Sequence, residues 1–188
     1  GNVDWEYAKK DLHSVAGVIK KYLRDLPEPL IVFDLFDDFM NIGRGLSVAS
    51  RASSSSPANA ATCPYASSIG DSDEKSQVEA LKRLLQKLPK AHYENLSFMM
   101  HFMDAIASRS SENKMNPSAL ATVIGPNVAW PKPPREADFA SFSHRNCVVE
   151  ALIVNYRKCF PNYDVLEVTS DKGDGDEPDA AGGPPPTP

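Results

Sequence analysis

The strongest constraint on the fold is the stretch of residues 12–30, in which a helical apolar pattern runs into two prolines. Its apolar residues are spaced three and four apart, as on one buried face of a helix, and they are Leu12, Val15, Ala16, Ile19, Tyr22 and Leu23. Asp11 precedes them and is of a type that caps helix N-termini. Pro27 and Pro29 end the helix, because proline lacks a backbone N–H and disfavours a helical residue before it. The sequence therefore predicts an amphipathic helix packed on a core.

Apolar residues at helical spacing recur further along the chain, and no strand pattern or internal repeat is present. A short second helix is predicted over about residues 34–42, with Gly43 as its exit. Helices are also predicted over about residues 73–88 and 93–108. The second of these is apolar around much of its circumference, so we expect it to be the central helix of the fold.

Two more helices complete the prediction of an all-α helical bundle. Asn116 and Pro117 indicate a helix start, since asparagine caps the end and proline at the first position gives up an N–H without a partner. That helix is expected to break at Gly125-Pro126, which would leave Asn127 just past its end with a projecting side chain. The last helix is predicted over about residues 144–160.

Two segments differ from this pattern in composition. Residues 44–73 are rich in serine and alanine, and such a segment buries too little apolar surface to offset its ordering entropy. We predict a disordered insertion there. Residues 164–188 hold seven acidic residues against one lysine and end in a proline-rich run, which predicts a disordered acidic tail. The folded domain is therefore expected within residues 1–163.

Charge and cysteine content exclude several classes of protein. The chain has 20 Lys and Arg against 25 Asp and Glu, and the acidic tail accounts for the excess, so bulk charge argues against a nucleic-acid partner. Cys147 and Cys159 lie on one predicted helix about 18 Å apart, too far for a disulfide between them. We therefore expect these two cysteines and Cys63 to be reduced thiols, as in a cytoplasmic protein. No apolar run is long enough to insert directly into a membrane, and no signal-peptide pattern is present.

No group of residues indicates an independent active site or a bound cofactor. The histidines are far apart in sequence, and none stands at metal-binding spacing with a cysteine or a second histidine: they are His13, His92, His101 and His144. Glycine-rich phosphate loops, nucleophile elbows and kinase motifs do not occur. We therefore expect no metal, no cofactor and no catalytic residue of a self-contained enzyme.

Three stretches resemble those of one known family, in the same order. They are KKYLRDLPEPLI at the end of the first helix, residues 88–96 from Leu-Pro to Leu, and NKM at residues 113–115 followed by LATVIGPN. They resemble the Rho GTPase-activating (RhoGAP) domain over residues 11–163. The greatest similarity is to its nadrin (RICH) subgroup, in the stretches HSVAG, YLRDLPEPLI and GPNVAWP. Members of that subgroup join this domain to a membrane-curving BAR domain.

The resemblance implies a GTPase activator, not an enzyme with its own active site. Such a domain docks on a GTP-bound Rho-family GTPase and inserts an arginine that accelerates GTP hydrolysis by a factor of about 10³–10⁵. It also orders the groups of the GTPase that position the attacking water. The family carries this arginine in a Gly-x-x-Arg loop ahead of the helix that opens this chain. Arg24, Arg44 and Arg51 do not match that context. The resemblance thus implies a fragment without its arginine finger.

Four residues are implied to contact or support the GTPase interface. Lys20 matches the family's interface lysine, Arg24 matches the arginine that braces the finger loop, and Asn127 matches an asparagine that contacts the switch region. Lys21 flanks them and adds positive charge suited to an acidic switch face. The family usually has asparagine where this chain has Ala119, so one interface hydrogen bond is expected to be missing.

Three functions remain open from the sequence. The first is activation of a Rho- or Rac-type GTPase in signal transduction. The second is a catalytically incompetent module that binds the GTPase without accelerating hydrolysis, because the arginine finger is absent. The third is a scaffold whose proline-rich end, residues 183–188, binds SH3 domains as polyproline II. Membrane association is expected only through domains outside this chain.

Overall fold

The computed structural model describes residues 12–53, 71–132 and 139–161, and within them it contains helices and no strand. The helices are α1 (Leu12–Arg24), α2 (Phe33–Ser53), α3 (Asp71–Leu85), α4 (Lys90–Ala107), the single turn α5 (Ser110–Asn113), α6 (Pro117–Val128), α7 (Phe139–Val154) and the single turn α8 (Tyr156–Cys159). The all-α prediction is confirmed. In the described ranges, no helix combines the length and the apolar character needed to cross a bilayer. The predicted acidic tail lies outside the described residues.

Helix α7 is the centre of the bundle. It packs against α2, α4, α6 and α8, and residues 146–153 are all 3% exposed or less. The prediction that α4 is the central helix is wrong. Phe98 and Phe102 in α4 are 56% and 39% exposed, so the described residues leave one apolar face of α4 uncovered. An apolar circumference marks a helix as buried only when neighbours surround it, and here they surround α7 instead.

Helix α2 continues past its predicted exit at Gly43, and this glycine lies at a close crossing with α7. Gly43 is buried, and a Cβ placed on it would overlap the backbone carbonyl of His144 and lie 3.0 Å from Val148 Cγ2. The glycine therefore permits close packing of two helices and does not end α2. The apolar face continues to Leu46, which is fully buried. The predicted start of the insertion at residue 44 is wrong, since α2 extends to Ser53; residues 54–70 lie outside the described ranges.

Helix α1 ends at Arg24, as expected from the prolines that follow it, but it is peripheral. It packs on α6, and it contributes Leu23 to the core together with the partly buried Ile19. Val15 and Tyr22, predicted to be buried, are 39% and 66% exposed. The predicted buried face is therefore wider than the observed one. Periodicity identifies residues that share a face, whereas burial depends on what covers that face.

The loop between α1 and α2 is fixed to two other helices. The Ile31 N–H donates to the Val128 carbonyl at the end of α6 over 2.9 Å. The Nδ1 atom of His92, in the first turn of α4, lies 3.1 Å from the Pro29 carbonyl oxygen. Ile31 is fully buried, so its hydrogen bond satisfies a donor that water cannot reach. The loop thereby fixes the end of α1 relative to α4 and α6.

The two cysteines within the described residues differ in redox state. Cys159 is a free thiol that is 3% exposed. Cys147 is disulfide-bonded, so the expectation of reduced thiols is wrong for this residue. Helix spacing excludes only a bond between Cys147 and Cys159. Cys63 lies outside the described residues.

The close crossing at Gly43 gives a test with a matched control in the same helix. Gly43→Ala is expected to lower the free energy of unfolding by about 1–3 kcal/mol, because the added methyl overlaps backbone atoms of α7. A Cβ on Gly45 meets nothing within 4 Å, so Gly45→Ala is expected to raise it by up to about 1 kcal/mol through helix propensity. Urea unfolding measures both changes. Equal effects of the same sign would contradict the crossing.

The buried thiol of Cys159 predicts a loss of stability at alkaline pH. Burial raises the pKa of Cys159 to about 11 from its ordinary value near 9, against the opposing charges of Lys82 and Lys158. The folded state holds the proton more tightly, so this contribution is complete below pH 9 and is lost as the pH rises through 11. We expect the free energy of unfolding to fall by about 1–3 kcal/mol more in the parent than in Cys159→Ala over that range. Parallel pH profiles of the two proteins would refute this.

Candidate functional site

The C-terminal half of α1 presents a group of basic side chains. Lys20 is half-buried, and Lys21 and Arg24 are exposed. The Lys21 Nζ atom lies 2.6 Å from Asp25 Oδ2, but both side chains are largely in solvent, so this ion pair contributes little stability. Lys20 and Arg24 form no hydrogen bond or ion pair with other described residues. Neither charge is paired within the described residues, and the role of these side chains at a GTPase interface stays a prediction.

Asn127 lies inside α6 and not beyond its end. Pro126 stands within this helix, where its missing N–H costs one backbone bond. The helix nevertheless continues, because Ile124 and the fully buried Val128 keep the next turn in the core. The Asn127 side chain is 5% exposed, and its Nδ2 atom donates to the Val123 carbonyl over 2.8 Å. The prediction that this side chain projects freely past a helix end is therefore wrong.

The structure joins the loop after α1 to the end of α6, although it does not bring all of the predicted side chains together. The hydrogen bond from Ile31 to Val128 joins the loop that follows Arg24 to the residue that follows Asn127. Lys20, Lys21 and Arg24 share the end of one helix, whereas the Asn127 amide is turned back onto its own helix. The two helices pack on each other, and in this conformation α1 offers cationic donors while the Asn127 amide of α6 is buried.

The turn before α6 is built by the residues of the NKM stretch. The Asn113 side chain donates to the Ile106 carbonyl and accepts from the Met115 N–H, both over 2.8 Å. Lys114 has a left-handed backbone with φ 61°, and its Nζ atom donates to the Ser111 carbonyl over 2.8 Å. This stretch therefore joins the end of α4 to α6, which is a structural role.

The first turn of α6 is capped as the sequence predicted. Asn116 Oδ1 accepts a hydrogen bond from the Ala119 N–H over 2.8 Å, and Pro117 takes the first helical position. Ala119 is thus about 12 Å along the helix axis from Asn127. The hydrogen bond expected to be missing at Ala119 would belong to the opposite end of α6 from Asn127.

Sequence reasoning missed the residues that hold this region in place. Arg145 in α7 donates from Nη1 to the Ala129 carbonyl over 3.1 Å, and burial lowers the pKa of its guanidinium. Glu28 accepts from the Phe33 N–H over 3.2 Å and so caps α2. In sequence, Arg145 is 16 residues from its partner Ala129, and His92 is 63 residues from its partner Pro29. No local pattern signals such contacts.

The basic group of α1 offers donors suited to an anionic surface. In the ranges that the structure describes, no group of three His, Cys, Asp or Glu side chains is placed to bind a metal ion. The basic group supplies a compact ammonium at Lys20 and a planar fork of donors at Arg24, which match phosphate or carboxylate partners.

Comparison with known proteins decides the family. Residues 1–133 match the family model of the RhoGAP domain. The chain belongs to the RhoGAP domain family. Among its relatives is SH3 domain-binding protein 1 of Mus musculus, 37% identical over 158 residues, which are 80% of this chain and 19% of that protein. Rho GTPase-activating protein 44 of Homo sapiens is 34% identical over 130 residues, 69% of this chain and 13% of that protein. This RhoGAP chain therefore spans a fifth or less of the length of these relatives.

Two solved structures share the fold of this RhoGAP domain. Human Rho GTPase activating protein 15 gives a TM-score of 0.61, with 80% of this chain and 59% of that chain covered. The BH domain from Graf, the GTPase regulator associated with focal adhesion kinase, gives 0.55, with 76% and 62% covered. Both are 23% identical to this chain, so they support the fold alone. The family resemblance is confirmed, while the nadrin subgroup and the fragment status stay predictions.

The burial of Asn127 predicts a stability effect that its sequence position did not suggest. Asn127→Ala is expected to cost about 1–3 kcal/mol, because it removes a buried amide and its hydrogen bond. Asn95 is the matched control: its Nδ2 atom makes the same type of bond to the Ala91 carbonyl over 2.8 Å, but in solvent. Asn95→Ala and Lys20→Ala are expected to stay within about 0.5 kcal/mol of the parent. Thermal and urea unfolding compare the three, and a neutral Asn127→Ala would contradict the observed burial.

Proposed function

We propose that this chain is a GTPase-activating domain that stimulates GTP hydrolysis by a Rho-family small GTPase. The observation that carries the proposal is the RhoGAP family match over residues 1–133, which includes α1, its loop and α6. The names of several relatives, such as Rho GTPase-activating protein 44, support the same activity. The domain is proposed to regulate an enzyme and not to be one.

The basic end of α1 supports a role in docking on the GTPase. Lys20 and Lys21 are adjacent, and Arg24 follows about one turn later, with Asp25 as the acidic neighbour paired to Lys21. Uncompensated positive charge accelerates association with an acidic surface and fixes orientation. We propose that Lys20 and Lys21 contact the GTPase and that Arg24 braces the finger loop through its fork of donors, as the family resemblance implies.

Asn127 has a different part in this proposal. Because its amide bonds the Val123 carbonyl, it supports the shape of the α6 end in the unbound domain. A direct contact with the switch region, as the family resemblance implies, would require this side chain to leave its hydrogen bond. The main contribution proposed for Asn127 is therefore to maintain the end of α6.

The proposed activity acts on the transition state of phosphoryl transfer. In such systems the activator orders the residues that position the attacking water and adds positive charge near the transferring phosphoryl group. The described residues hold donors and cations suited to ordering a partner. The GTPase itself would supply the nucleotide, its magnesium ion and the water.

The ends of the chain are proposed to lie outside this activity. We place the domain within residues 1–163 and the acidic segment of residues 164–188 beyond it. One relative is named SH3 domain-binding protein 1. SH3 binding by residues 183–188 of this chain remains a prediction from their proline content.

The proposal is tested by single-turnover GTP hydrolysis on Rho- and Rac-type GTPases, with the chain titrated to saturation. The parent is expected to accelerate hydrolysis in a saturable manner. Lys20→Ala and Arg24→Ala are each expected to reduce the second-order rate constant at least about tenfold, as for loss of a desolvated charged contact. Both should leave the melting temperature nearly unchanged, because neither side chain belongs to the core.

Lys87→Ala is the matched control, since Lys87 is an exposed lysine in the turn between α3 and α4. It is expected to leave the rate constant unchanged. Equal losses in Lys87→Ala and Lys20→Ala would mean that general charge, and not the end of α1, drives association. Tight binding without acceleration would support the binding module that the sequence left open, and the absence of both would refute the proposal.

A further inference from the structure

Arg145 holds the backbone that leaves α6. Its Nη1 atom donates to the carbonyl of Ala129 over 3.1 Å. Ala129 is the first residue after α6, is fully buried and has extended backbone with φ −148° and ψ 124°. A charged side chain from α7 therefore fixes the path of the chain immediately beyond the helix that carries Asn127.

The setting of this guanidinium indicates a specific role. Arg145 is half-buried, its Nε atom is buried without a hydrogen-bond partner, and desolvation lowers its pKa. The guanidinium carbon lies 5.2 Å from the centre of the Phe142 ring, which compensates part of the lost hydration. An apolar side chain of similar length would fill this space without the cost of desolvating a charge. The feature that such a side chain lacks is the hydrogen bond to Ala129.

Two consecutive carbonyls at the end of α6 are bonded in this way to two different parts of the fold. The Val128 carbonyl accepts from the Ile31 N–H in the α1–α2 loop, and the Ala129 carbonyl accepts from Arg145 in α7. The helices are also close at this point, since a Cβ on Gly125 would lie 3.7 Å from Arg145 Cγ. The segment is therefore held between the central helix and the loop that follows Arg24.

We propose that Arg145 is a positioning residue for the basic end of α1. By fixing Ala129, it sets the position of the neighbouring Val128 carbonyl and thereby of the loop that carries Ile31. The loop in turn sets where α1 ends and where Lys20 and Arg24 stand relative to α6. The effect on GTPase recognition rests on the proposed function, whereas the mechanical step within the domain does not depend on it.

The mechanical step is tested by amide hydrogen exchange, measured by NMR on the intact chain. In Arg145→Met the Ile31 amide is expected to exchange at least about tenfold faster than in the parent, since its acceptor segment loses its anchor. The amide of Phe160, which donates to the Tyr156 carbonyl, reports on the rest of the bundle and is expected to change less than about twofold. Arg157→Met is the control, because Arg157 is an exposed arginine in α8, and it should leave both amides unchanged.

Arg145→Lys gives a graded comparison and replaces Arg145→Met if the latter does not fold. Lysine keeps the charge and one donor but loses the planar fork, so exchange at Ile31 is expected to rise about threefold. An unchanged Ile31 amide in both variants would overturn the proposal. So would an equal rise at Ile31 and Phe160, because that result describes general loosening of the bundle.

The functional step is tested by titration against a Rho-family GTPase loaded with GDP and aluminium fluoride. Arg145→Met is expected to weaken binding at least about fivefold without changing its salt dependence, since no ionic contact is lost. Lys20→Ala is expected to weaken binding and to reduce the salt dependence. Parent-like binding by Arg145→Met, or a reduced salt dependence in that variant, would overturn the positioning role. If the parent itself does not bind, the proposed function fails, and exchange at Ile31 still decides the mechanical step.

Discussion

The fold depends on how closely two helices approach α7. At Gly43 the backbone of α2 lies where any side chain would overlap the carbonyl of His144, and at Gly125 a side chain would crowd Asn146 Oδ1 at 3.0 Å. Both contacts occur on a helix whose residues 146–153 are buried on every side. Close approach increases the dispersion contacts and the apolar area removed from water. The two glycines therefore determine how α2 and α6 are placed around the centre of the bundle.

The placement of α6 determines how α1 is held at the edge of the bundle. α1 packs on α6 and contributes little to the core beyond Leu23. Its basic side chains are consequently outside the packed interior, and their replacement should affect recognition far more than stability. Asn127 is the opposite case, since its buried amide belongs to α6 itself. The candidate interface thus combines exposed basic side chains, whose replacement should leave stability nearly unchanged, with a buried amide whose replacement should not.

A small number of long-range hydrogen bonds joins these two halves. The loop after α1 is bonded to α6 through Ile31 and Val128, and to α4 through Pro29 and His92. Buried backbone donors and acceptors must be satisfied, so each of these bonds is costly to break. Such contacts position a surface without being part of it, and the proposed role of Arg145 follows the same logic.

The sequence by itself determined the family, the all-helical class, the end of α1 and the start of α6. Those features depend on proline, on capping side chains and on apolar spacing within a few residues. The same local reasoning identified Lys20, Lys21 and Arg24 as surface charges. It was wrong about Gly43, about the end of α6 and about which helix is central. The tertiary structure decided these points, because the role of Gly43 depends on His144, 101 residues away in sequence, and the burial of Asn127 depends on how α6 packs against its neighbours. A local pattern shows which residues lie together on one face of a helix, but only the packing of the fold shows what covers that face.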